Sequence, residues 1–189
     1  MEMDHHSVLL VTKDTKISSF IRTMLIEPLF TLQVINDPNE ARRQMIDYNA
    51  DIVIIDAGDG SDTDIAIDIA SSNSTILVLA PNHLYDQISY RVESYGIITL
   101  SKPFDTFNFY QMIKVCIAVH NKISALNMET YRLKEKMEEI RTINRAKMLL
   151  MSALHMTEQE AHRYLEKEAM DRCTKRTEVA VSIIKIYGV

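Results

Sequence analysis

The chain has no tryptophan, two cysteines, and only four glycines and four prolines among its 189 residues. Each scarcity removes a class of protein. So little Gly and Pro leaves no room for a long flexible linker or a low-complexity segment. Cys116 and Cys173 make neither a disulfide framework nor a metal-ligand spacing, so a reducing compartment is expected. No stretch approaches the ~20 apolar residues of a membrane span. The opening MEMDHHSV does not read as a secretory leader, so a cytoplasmic protein with no membrane partner is expected. A Gly-rich phosphate loop, a metal-ligand cluster and a supported Ser–His or Cys–His spacing are all missing, and the chain is not expected to be an enzyme.

The net charge of −5 conceals an asymmetry. Residues 1–120 carry 8 Lys or Arg against 16 Asp or Glu, and residues 121–189 carry 13 against 10. A polyanion would meet the C-terminal part.

Five short apolar runs alternate with helical spacing over the first hundred residues. They are Ser7–Val11, Leu32–Ile35, Ile52–Ile55, Thr75–Leu79 and Ile97–Leu100. Ile52 to Ile55 is β-branched and unalternating, as in a strand covered on both faces. Helices are expected at Ile17, Phe20, Ile21, Met24 and Leu25, at Ala41, Met45 and Ile46 behind an Asp37-Pro38 start, at Ile65, Ile69 and Ala70, and over 83–94. The pattern predicts an α/β fold with a five-stranded, doubly wound parallel sheet. Chemistry in such sheets gathers at the C-terminal ends of the strands. Thr12, Lys13, Asp14, Asp56, Ala80 and Lys102 all fall there.

No Gly or Pro occurs between Pro103 and Gly188. Cys116, Val119, Ile123, Leu126, Thr130, Leu133, Met137, Ile140 and Asn144 recur at alternating steps of three and four, a heptad seam of about four heptads. One helix over about 105–153 and a parallel coiled-coil homodimer are expected. Polar Thr130 and Asn144 would favour a defined register. Thr157 with Glu160 forms a capping box that opens a helix with Ala161, Tyr164, Leu165, Ala169 and Met170 on its apolar face. Lys175–Tyr187 reads as a third helix burying Val179, Ala180, Ile183 and Ile184, so the end of the chain is a small three-helix bundle. His155 and His162 read as surface residues and not as ligands.

Asp56 at the end of the third strand and Lys102-Pro103-Phe104 after the fifth make the first 120 residues resemble a response-regulator receiver domain. The resemblance implies that Asp56 is the phosphoacceptor position and that Lys102 contacts the phosphoryl group. Thr12 and Lys13 replace that family's Mg²⁺-binding acidic pair, Asp14 follows one position late, and Ala80 replaces the usual Ser or Thr. Lys13 is expected to pair with Asp56 in place of the metal. A pseudo-receiver without a cofactor is therefore expected, with Mg²⁺ entering only if the receiver is active.

The last 55 residues resemble the ANTAR domain, an RNA-binding module of transcription antiterminators. The matches are Ile143, Ala146-Lys147, Leu149 to Met151, Glu160-Ala161, Leu165, Ala169-Met170 and Val179-Ala180. Met148 stands where Gly is usual, and Ile140 where Arg is usual. The resemblance implies domains at 1–120 (receiver-like), 105–140 (coiled coil) and 134–189 (ANTAR-like). It also implies binding of paired stem-loops in leader transcripts by a dimer, under a sensor or kinase partner. Arg141, Arg145, Lys147, Arg172, Lys175 and Arg176 are the candidate RNA contacts. Val119, Ile123, Leu126, Leu133, Met137 and Ile140 are the candidate dimer seam. The competing readings are a DNA-binding two-component response regulator and a protein scaffold with a basic docking face.

Overall fold

A computed structural model of the chain describes residues 5–37, 40–43, 50–58 and 62–188. The five strands are β1 (His6–Val11), β2 (Phe30–Ile35), β3 (Ile52–Asp56), β4 (Thr75–Pro81) and β5 (Ile98–Lys102). They pair in parallel in the order β2-β1-β3-β4-β5. The helices are α1 (Thr15–Met24), α2 (Thr63–Asp68), α3 (Tyr85–Val92), α4 (Thr106–Leu154), α5 (Glu158–Asp171) and α6 (Arg176–Tyr187). Residues 40–43 are also helical, with Ala41 buried; Met45 and Ile46 lie outside the described residues. No helix among the described residues is long and apolar enough to cross a membrane.

Because strand side chains alternate, each strand feeds two cores. Leu9, Val11, Val53, Ile55 and Val78 face Ile65, Ile69, Ile88 and Val92 on one side. Val8, Leu10, Ile54, Leu77 and Leu79 face Ile21, Leu25, Phe109, Ile113 and Cys116 on the other. All of β3 is buried, which is why it is apolar at every position up to Asp56. Burial pushes the Cys116 thiol up to about 12, so it stays neutral and behaves as a small apolar core residue. That burial also corrects the expected seam: Cys116 belongs to the sheet's core.

Other boundaries move slightly. β4 runs to Pro81, which is tolerated because it is the strand's last residue. The helix expected over 83–94 is α3 with a 3-10 turn at each end, and Gly96 at φ +72° stops it. The helix expected from Lys175 begins at Arg176, with Lys175 as its cap.

The chain divides into two compact units, residues 1–125 and 126–189, and α4 contributes 49 uninterrupted residues to them. In the second unit, Ala146 and Leu150 of α4 pack with Ala161, Leu165 and Ala169 of α5 and with Val179, Ala180 and Ile183 of α6. Tyr164 and Met170, expected on the buried face of α5, are exposed. The alanines at 161 and 169 let the neighbouring helices close on a narrow stripe, and those two positions fall beside it. The capping box is present: Thr157 Oγ1 accepts from the Glu160 amide at 3.3 Å, and Glu160 Oε2 accepts from the Thr157 amide at 2.8 Å. That backbone bond holds the Glu160 carboxyl below its usual range.

α5 ends on a Schellman motif. The Cys173 amide donates to the Met170 carbonyl at 3.1 Å, and the Thr174 amide donates to the Ala169 carbonyl at 3.0 Å. The left-handed position of the motif is Cys173 at φ +50°, where a Cβ is costly. Cys173→Gly is expected to stabilise the protein by about 1 kcal/mol, partly offset by the freer unfolded chain. Denaturant titration will show this as a higher midpoint with an unchanged slope; a lower midpoint would mean the Cys173 side chain contributes more than its strain costs.

Candidate functional site

The candidate residues fall in two places among those described. The first lies at the C-terminal ends of β1, β3 and β5. Asp56 closes β3 and is 9 % exposed. Its Oδ2 accepts a 2.7 Å hydrogen bond from the Thr12 hydroxyl, and its Oδ1 pairs with the Lys102 ammonium at the end of β5. Thr12 Oγ1 in turn accepts from the Asp14 amide at 3.0 Å. Asp14 is the N-cap of α1, its Oδ1 accepting from the Lys16 amide at 2.7 Å and, more weakly, from Ile17 at 3.4 Å. Ala80, near the end of β4, is fully buried. The cleft above these groups is about 330 Å³ and is lined by Thr12, Lys13, Asp14, Asp56, Asp62 and Lys102.

The expected Lys13–Asp56 pair is not formed. Lys13 is exposed at the cleft wall, and the Asp56 carboxylate is satisfied by Thr12 and Lys102 instead. The physical reason is position. Thr12 is the first residue beyond β1, buried beside Asp56, while the chain turns outward at Lys13 to reach the α1 cap. A hard divalent cation needs several free carboxylate oxygens. Here both Asp56 oxygens are engaged, one Asp14 oxygen caps a helix, and no group of three acidic, His or Cys side chains among the described residues is arranged for a metal.

The second place is the C-terminal unit. Its candidate cations fall in two groups, Arg141, Arg145 and Lys147 on α4 and Arg172, Lys175 and Arg176 at the α5–α6 turn. Four of the six are paired. Arg141 meets Glu138 at 2.6 Å, Lys147 meets Glu158 at 2.8 Å, Arg172 meets Glu168, and Arg176 meets Glu166 at 3.2 Å. Arg145 and Lys175 are exposed with no carboxylate partner among the described residues. The exposed pairs cost little to break, on the order of 0–1 kcal/mol each, so those arginines stay available to a phosphate. Lys147 differs: its side chain is 16 % exposed and ties α4 to the start of α5. The hydrogen bond and charge of Lys147 hold the Glu158 carboxyl below its usual range.

The sequence reading missed the four carboxylates that hold these cations. Glu138–Arg141 and Glu168–Arg172 were findable from helix spacing. Glu158 and Glu166 meet their partners through tertiary packing, and no local pattern signals that. His155 and His162 are exposed, and His162 lies 3.3 Å from Glu166.

The α4 seam is bare in the single chain. Ile123, Leu126, Leu133, Met137 and Ile140 are between 37 % and 58 % exposed, Val119 is half-buried, and every residue from 128 to 141 is exposed.

Comparison with known proteins places these features. The ANTAR domain model matches residues 131–184. The chain is 30 % identical over 146 residues to the transcriptional regulatory protein PdtaR of Mycobacterium tuberculosis, covering 75 % of this chain and 70 % of that protein. It is 33 % identical over 81 residues to the aliphatic amidase regulator of Pseudomonas aeruginosa, covering 43 % of this chain and 40 % of that one. Among solved structures, the signal receiver domain of an HD domain-containing protein from Pseudomonas fluorescens superimposes with a TM-score of 0.57 at 18 % identity, covering 65 % of this chain and 93 % of that domain. Full-length FixJ from B. japonicum superimposes with a TM-score of 0.57 at 12 % identity, covering 98 % of both chains.

Proposed function

The chain belongs to the response regulators that join a receiver domain to an ANTAR domain, and from that premise we propose that it binds stem-loop RNA in leader transcripts as a dimer and prevents termination. The observation that carries this reading is the ANTAR match over 131–184, within the unit that holds Arg145, exposed and with no carboxylate partner among the described residues. Arg and Lys at the surface meet phosphates, while bases splayed from RNA loops offer edges and faces for recognition. The site of action is the cytoplasm.

The dimer forms through α4. Apolar side chains at Ile123, Leu126, Leu133, Met137 and Ile140, exposed along the heptad spacing and interrupted at Thr130, support a parallel pairing with a second copy. Two RNA-binding units then reach two stem-loops, and affinity rises through effective concentration.

Control enters through the sheet unit from a protein partner, without phosphorylation of Asp56 and without a bound divalent cation. Thr12 as donor to Asp56, Asp14 as a helix cap and Ala80 in place of a hydroxyl support this; the Lys102 contact alone fits either mode of control.

The test is gel retardation of a tandem stem-loop leader RNA and of duplex DNA, with and without acetyl phosphate and Mg²⁺. RNA is expected to shift without the phosphodonor, and Arg145→Ala is expected to weaken binding by about 1–3 kcal/mol. Retardation only after acetyl phosphate would overturn partner control. Equal or stronger retardation of duplex DNA would replace RNA with DNA as the target.

A further inference from the structure

A second cleft in the sheet unit, about 640 Å³, opens between the start of α1 and the ends of β4 and β5. Its volume is that of a small-molecule site. Its apolar wall is Ile17, Phe20, Pro81, Pro103 and Phe104. Phe20 and Phe104 meet edge to face with centroids 5.7 Å apart, and Phe104 stacks on the buried Phe109 at 5.6 Å, so the aromatic wall is held from behind. The polar part is cationic or donating. Lys16 is exposed with no carboxylate partner among the described residues. The Asn82 carboxamide oxygen accepts from the Ser101 hydroxyl at 3.1 Å, which leaves its amide nitrogen as a donor. Lys102 and His83 complete the polar lining, and no carboxylate lines the cleft among the described residues.

We propose that this cleft binds a small planar aromatic carboxylate. The aromatic body would cover Phe20 and Phe104, and the carboxylate would take the Lys16 ammonium and the Asn82 amide. A neutral apolar ligand would desolvate Lys16 without compensation. A di- or triphosphate is disfavoured because the adjoining cleft presents Asp14, Asp56 and Asp62. Gly58 and Lys102 line both clefts, so a bound carboxylate would act on the Lys102–Asp56 contact. The site thus supplies an input to the sheet unit that is distinct from a protein partner. It does not depend on the RNA reading, and its test contains no RNA.

The experiment is an amide NMR titration of the full chain with naphthoate and, separately, with its neutral isostere naphthylmethanol. Naphthoate is expected to give saturable shifts at Ile17, Phe20, Asn82 and Phe104. Lys16→Gln, an exposed substitution that leaves the fold intact, is expected to weaken naphthoate roughly tenfold without weakening naphthylmethanol. Equal affinity for the two probes, shifts confined to the exposed stripe of α4, or no saturable shift with either probe would each overturn the proposal.

Discussion

Leu133→Asp combined with Met137→Asp is expected to convert the protein to a monomer and to lower its affinity for a tandem stem-loop RNA by on the order of 10²–10³-fold. The two positions are neighbours along the heptad seam, one on each type of core position. A carboxylate there in both copies would bury four like charges where two apolar layers should meet, and each costs several kcal/mol when unpaired. The variant is a clean test because every residue from 128 to 141 is exposed in the single chain. Neither residue contributes to the core of either unit, so circular dichroism and thermal unfolding at dilute concentration should hardly change. Sedimentation will read the mass, and retardation the affinity. Affinity for a single stem-loop should fall far less than for the tandem RNA, because only the linkage between two sites is lost. A wild-type protein that sediments as a monomer at micromolar concentration would sink the proposed dimer, and a double variant that stays dimeric would move the interface off this face.

The same stripe shows what sequence pattern carries and where it stops. A heptad rhythm is legible because it needs only spacing, and the long uninterrupted helix followed from the lack of Gly and Pro. The strands were legible for a related reason: parallel strands buried on both faces are apolar without alternation, as in β3. The rhythm itself could not tell which copies of the repeat are consumed inside the chain. Cys116 continues the spacing but is spent against the sheet, and Asn144 continues it but is exposed while Ile143, one residue before, packs on the C-terminal core.

At the receiver-type site, Asp56 and Lys102 were legible because strand ends fix their place. The partner of Asp56 was not. Lys13 has the charge and Thr12 does not, so counting charges selects Lys13. The choice is made by the turn after β1, where Asp14 caps α1 and the chain leaves the sheet at Thr12. The hydroxyl is the group left facing the carboxylate, and a buried carboxylate accepts a well-placed hydroxyl readily.

Leu150→Ala is expected to cost about 3 kcal/mol, most of the stability that a small helical unit possesses. The C-terminal core has eight buried residues, of which four are alanines. The load falls on Leu150, Leu165, Val179 and Ile183, and Leu150 is the large side chain that α4 buries fully there, with Ile143 and Leu149 only partly buried beside it. The alanines hold the helices close, so they cannot part or collapse inward to fill a cavity without losing the contacts that the alanines allow. Calorimetry of the full chain should show the transition of the C-terminal helices lowered by roughly 15 °C. RNA retardation should vanish at temperatures where the wild-type protein still binds. Met148→Ala, two residues away on the same helix but 70 % exposed, should change stability by no more than about 0.5 kcal/mol. The contrast between the two separates burial from helix propensity, since both variants gain the same good helix former. Equal losses from the two would mean that Met148 is covered in solution by a surface of another copy. Loss of RNA binding by Met148→Ala with stability intact would make the position a contact with the RNA.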